Sequence, residues 1–151
     1  MFFQILKNIS SENKTPKINH GLALAVLFIQ LAKADDDYSY NEYELILKIL
    51  ENRYKITRKE AEEILSQADD LEKNTSDTMQ ITREIKNFVP YEERSDILRD
   101  LWEITMSDSK RSNEENNFIR LVTKLLGMSD KLSAQIRIEV LDAIENDDTA
   151  K

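Results

Sequence analysis

The chain has 151 residues, 40% hydrophobic and 33% charged, with a net charge of −8; this suits one folded domain and excludes a disordered chain or a general binder of nucleic acid, whose phosphates demand a basic face. No cysteine is present, which excludes disulfides, thiolate metal sites and cysteine nucleophiles. Two glycines and two prolines are too few for a β-sandwich or barrel, and point to helices joined by short polar loops.

Residues 1–9 carry Phe2, Phe3, Ile5, Leu6 and Ile9, a spacing that predicts a short helix with one apolar face. That face suits docking on the domain; peripheral membrane contact is the alternative, with Lys7 as its only positive charge. The start lacks the basic region and cleavage site of a signal peptide, so a cytoplasmic location, with or without membrane association, is expected. Residues 10–18 read as a polar link. From Asn19 to Lys33 the chain is apolar nearly all round, which predicts a central helix. Its longest apolar run, Leu22 to Ile29, is far shorter than the roughly 20 residues that span a bilayer, so no transmembrane segment is expected.

Ser39 and Glu42 form an S-x-x-E capping box before the stripe Leu45, Ile46, Ile49 and Leu50. Thr57 and Glu60 repeat the device before Ala61, Ile64, Leu65, Ala68 and Leu71; the charged run RKEAEEILSQADDLEK reads as that helix's solvated face. A fourth helix is predicted over Asp77–Phe88, with Met79, Ile81, Ile85 and Phe88 inward, ended by Pro90. A fifth covers Tyr91–Met106, with Ile97, Leu98, Leu101, Trp102 and Ile104 inward. Ser112 and Glu115 cap a sixth, whose stripe is Phe118, Ile119, Leu121, Val122, Leu125 and Leu126, followed by Gly127 as a left-handed terminator. The seventh begins after Ser129 and carries Leu132, Ile136, Val140, Leu141 and Ile144. The expected layout is a short helix and link over 1–18, a helical domain over 19–146 and a frayed tail over 147–151.

Residues 34–46, ADDDYSYNEYELI, align with residues 107–119, SDSKRSNEENNFI, at a constant offset. Asp35 meets Asp108, Ser39 meets Ser112, Glu42 meets Glu115 and Ile46 meets Ile119. Each copy is an apolar helix, an aspartate at its end, a short loop, a capping serine and a second helix. The repeat predicts two helical hairpins packed about an approximate two-fold axis. Hairpins that face each other would bring both Asp–Glu pairs to one patch.

The pattern A-D-x-x-x-x-x-x-E, repeated in the second hairpin, resembles the TerB-like, or tellurite-resistance, domain. A similar domain opens some membrane-anchored DnaJ-type co-chaperones. The resemblance covers about residues 20–144 and rests on KADDDYSYNE, on W-x-x-x-x-S-D from Trp102 to Asp108, and on NEENNFIRLVTKLLGMS. In that family glycine usually follows each aspartate; here Asp36 and Ser109 take those places. The resemblance implies a compact all-α bundle, here of about seven helices, with an acidic cluster suspected of binding metal. The matching residues are Asp35, Glu42, Asp108 and Glu115, with Asp37 as a further oxygen. Hard carboxylates favour Ca²⁺, Mg²⁺ or Mn²⁺ over Zn²⁺. Tellurite is an oxyanion, which a negative cluster would not bind directly.

Local structure offers a competing account. Glu42 and Glu115 are each explained by their caps. Asp35 and Asp108 sit at helix C-termini, where the dipole disfavours them, so loop amides, a cation, or Lys110 and Arg111 must answer their charge. His20 is the sole histidine and no nucleophile motif accompanies it, so a catalytic triad has no support. Paired carboxylates could hydrolyse glycosides, but nothing in the chain suggests a substrate cleft. A non-enzymatic, cation-binding or cation-sensing module in metal or envelope stress response is therefore expected. The alternative is a metal-free adaptor whose acidic face, with Tyr38, Tyr40 and Tyr43, meets a basic protein partner.

Overall fold

The apolar segment predicted from Asn19 to Lys33 is the axis of the molecule. In the computed structural model it is α1 (Pro16–Ala32). Leu22 to Ile29, Leu31 and Ala32 are essentially inaccessible to solvent. A helix that is apolar on every side must be covered on every side, and α1 is packed by five others: α2 (Tyr40–Tyr54), α3 (Arg58–Asn74), α4 (Thr78–Phe88), α5 (Arg94–Met106) and α6 (Asn113–Leu125). A seventh, α7 (Asp130–Ala150), closes the bundle over α5 and α6. The structure describes residues 16–34, 36–74, 77–107 and 112–150, with side chains between 21 and 146; the expected helix over 1–9 lies outside them. Among the described residues there are seven α-helices and no strand, so the all-α expectation holds.

Burial of the leucines and isoleucines of α1 contributes about 1.5–3 kcal/mol each. Phe28, fully enclosed, is the largest of its buried side chains, and its truncation to alanine should cost about 3–5 kcal/mol. Gln30 is the polar exception on α1's buried length, and its Oε1 accepts a hydrogen bond from the Thr78 hydroxyl at 3.2 Å.

The caps form as the sequence predicts. Ser39 N–H donates to Glu42 Oε1 at 2.9 Å while Glu42 N–H donates to Ser39 Oγ at 3.1 Å. Thr57 and Glu60 make the same reciprocal pair at 3.0 and 3.1 Å. Gly127 adopts φ +80° and ends α6 with a Schellman motif: Met128 N–H reaches Thr123 O and Gly127 N–H reaches Lys124 O, each at 3.0 Å.

Three inward assignments need correction. Met79 is 57% exposed, Leu121 44% and Leu141 40%. Ile81, Thr82 and Ile85 define the inner face of α4, and Ile119, Val122, Thr123 and Leu126 that of α6. Met79 and Leu121 each lie two positions, about 200° of helix, from such a residue. Leu141 falls one position beyond the edge of the Ser133–Ile136–Val140 stripe. The fifth helix also starts later than expected, because Tyr91–Glu93 form a 3₁₀ turn before α5. At the other end, α7 runs through the segment expected to fray, as far as Ala150.

Candidate functional site

The hairpin α1–α2 packs against the hairpin α5–α6 chiefly through α5. Leu45, three residues into the helix after Glu42, lines one groove together with Glu103, Met106 and Ser107. The first two turns of α2 therefore lie beside the end of α5.

Asp35 and Asp108, with Lys110 and Arg111, lie outside the described residues. Of the other expected ligands, Asp37 is exposed in the first loop, whereas Glu42 and Glu115 are each 1% exposed. Among the described residues no group of three His, Cys, Asp or Glu is arranged to hold a metal ion.

The two glutamates differ in their bonding. Glu42 Oε1 closes the Ser39 cap. Glu115 Oε1 accepts the Ser112 hydroxyl at 3.2 Å and Oε2 accepts the Thr105 hydroxyl from α5 at 2.9 Å. A buried carboxylate without such donors would be costly. Glu115 thus ties the two helices of the second hairpin together.

The first loop turns on Asp36, whose φ of +62° places it in the left-handed region. Asp36 N–H donates to Lys33 O at 3.0 Å. This is the position where the family pattern has glycine, and aspartate is among the few other residues that tolerate this backbone. Lys33, one residue past α1, reaches Asp69 Oδ1 at 3.0 Å and Glu72 Oε2 at 3.1 Å on α3. Burial opposes the charge of Lys33, but these two bonds outweigh it and hold its pKa above the usual lysine value. Asp69 also pairs with Lys73 at 3.2 Å; against some desolvation, the two lysines hold its carboxyl low. The run read as a solvated face is thus partly engaged with the loop, a pairing that spacing along the chain gave no sign of.

Beside it, Tyr38 and Tyr43 wall a recess with Lys33, Leu65, Ser66 and Asp69. Burial, then the charge of Asp69, pushes the Tyr38 phenol well above its ordinary range, so it stays neutral. The Tyr43 ring lies 6.5 Å from both Tyr38 and Tyr40, and Tyr40 stacks on it while remaining 73% exposed. Arg58 grips Glu44 with both terminal guanidinium nitrogens, Nη2 at 2.6 Å and Nη1 at 3.0 Å. This pairing, with a hydrogen bond from Tyr40, lowers the Glu44 carboxyl to about 2.

No helix among the described residues is long and apolar enough to cross a membrane. No curated protein and no solved structure matches the chain. The family model of tellurite resistance protein TerB matches residues 21–138, from the first fully described turn of α1 well into α7. The chain belongs to the TerB family.

Proposed function

We propose that the chain is a non-catalytic TerB-type module whose two repeat loops bind or sense a divalent cation, in a metal or envelope stress response. The supporting observation is the pair Glu42 and Glu115, equivalent in the repeat, both withdrawn from solvent and both in the first turn of their helices. Burying two carboxylates in a chain of charge −8 is unfavourable unless something positive or hydrogen-bonding answers them. Asp35, Asp37 and Asp108 would complete the oxygen set. Oxygen ligands suit Ca²⁺, Mg²⁺ or Mn²⁺.

Calorimetric titration of the purified protein with each ion tests this. Saturable binding that Asp35→Asn with Asp108→Asn removes is the expected result. No heat and no change in melting temperature with any of the three ions would refute it.

A second reading is favoured by the Tyr38–Tyr43–Tyr40 ladder. An exposed aromatic beside acidic residues suits a basic protein partner, and the module would then act as a metal-free adaptor. That reading expects no metal-dependent shift, and loss of a basic partner when Tyr40 becomes alanine.

A further inference from the structure

A recess of about 240 Å³ opens between α5, α6 and α7. Trp102 of α5 forms its floor; its indole N–H donates to Ser133 Oγ at 3.1 Å, which fixes the ring. One wall is Asn116 and Arg120, a turn apart on α6. The other is the first two turns of α7, with Asp130, Ala134 and Arg137. The Arg137 guanidinium carbon lies 5.9 Å from the Trp102 ring centroid. A guanidinium held over an aromatic face keeps its N–H edge available to an acceptor.

The charge at this recess runs against that of the molecule. Arg53, Arg58 and Arg99 each pair with a carboxylate, and Arg94 with backbone carbonyls. Among the described residues Arg120 and Arg137, like Arg83 elsewhere, form no ion pair, although acids outnumber bases in the chain. Asp130 is exposed, so two arginines against one carboxylate leave the lining positive. The N-terminal end of α7 adds its partial positive charge.

We infer that this recess binds a small oxyanion, a phosphate or carboxylate group, with Arg120 and Arg137 as charged donors. The site takes the opposite charge from the repeat loops and does not depend on the reading of those loops. Its volume lies below the roughly 300 Å³ of the smallest drug-sized pockets, which restricts the ligand to a small metabolite or a free ion.

Trp102 is the sole tryptophan, so fluorescence excited at the red edge, where the five tyrosines do not absorb, reports this recess. The protein is titrated with inorganic phosphate and, separately, acetate, at ionic strength held constant with sodium chloride. The expected result is a saturable change with at least one anion, matched by a shift of the Trp102 indole N–H resonance. A response to phosphate alone assigns a tetrahedral ligand, and one to acetate alone a planar one. Arg120→Gln with Arg137→Gln should weaken binding by at least about tenfold while circular dichroism shows an unchanged fold. Asp130→Asn, which leaves both arginines in place, should tighten it. A response that is absent, does not saturate, or persists in the double variant overturns the assignment, as does weaker binding by Asp130→Asn.

Discussion

Arg53 on α2 and Asp100 on α5 form an ion pair across the interface of the two hairpins, and both are largely withdrawn from water. Arg53 Nε is buried without a hydrogen-bond partner, so the pair is incompletely satisfied. Burial dominates at Asp100: it pushes the carboxyl up to about 6, although Arg53 pulls it down. Glu103 and Asp96 add like charge nearby.

This predicts a pH dependence of definite sign. A carboxyl whose pKa is higher in the folded state binds its proton more tightly there. Its contribution to stability is complete below the ordinary carboxylate pKa of about 4 and lost as pH rises through about 6. Glu103, also raised by burial, acts in the same direction. Urea midpoints at pH 4, 5, 6 and 7 should therefore decline relative to those of Asp100→Asn, by an amount on the order of 2 kcal/mol across the window. Parallel curves for the two proteins would show that Asp100 is not the group responsible.

Asp36 makes a second prediction, with opposite signs for two small residues. Its left-handed backbone costs an ordinary L-residue about 1–2 kcal/mol, aspartate less, and glycine nothing. Asp36→Gly should raise stability by up to about 1 kcal/mol, after glycine's greater entropy loss is counted. Asp36→Ala should lower it, although the side chain is exposed. Gly127→Ala should likewise cost about 1 kcal/mol; the nearest atom to the new Cβ is 3.9 Å away, so backbone strain rather than crowding is the cause. Thermal melts of the three variants settle the signs.

Arg94 is a tie between helix ends. Its Nε–H donates to Val89 O at 3.1 Å and Nη1 to Leu126 O at 3.2 Å, beyond the C-termini of α4 and α6, and its guanidinium stands 5.6 Å from the Tyr91 ring. A cation at two negative dipole ends, bonded to both, is worth more than a surface lysine. Arg94→Ala should cost about 1.5–3 kcal/mol. Arg94→Lys should recover little, because one ammonium cannot reproduce the fork. Equal stability of the lysine variant and the parent would sink this account.

What could be read along the chain and what could not divides by distance in sequence. The caps at Ser39, Thr57 and Ser112 span three residues, and the all-round apolarity of α1 is a property of one segment. Arg94 to Leu126, Lys33 to Asp69, and Trp102 to Ser133 join residues more than 30 apart. Before folding, each is an ordinary charged, polar or aromatic residue. Met79, Leu121 and Leu141 were misplaced for another reason: they are apolar, but helix phase rather than residue type decides which side chain faces inward. The family pattern did carry the first loop's geometry, since the place it reserves for glycine is where Asp36 turns left-handed.

The repeat-equivalent glutamates allow the structural and cation-binding accounts to be separated. Glu115→Ala removes the acceptor of the Thr105 and Ser112 hydroxyls and should cost about 1–3 kcal/mol whether or not a cation binds. Glu42→Ala should cost a similar amount through the Ser39 cap. The glutamines differ: each keeps an acceptor and nearly the same shape, but no charge. If the carboxylates only cap helices, Glu42→Gln and Glu115→Gln should melt close to the parent with or without added metal. If they belong to a cation site, the parent should gain about 2.7 kcal/mol at a hundred times the dissociation constant, roughly 5–11 °C in a domain of this size. Both glutamine variants should lose most of that rise while keeping the metal-free melting temperature. A parent protein that gains nothing, with glutamine variants indistinguishable from it, would leave both residues as caps and end the case for a metal at the repeat loops.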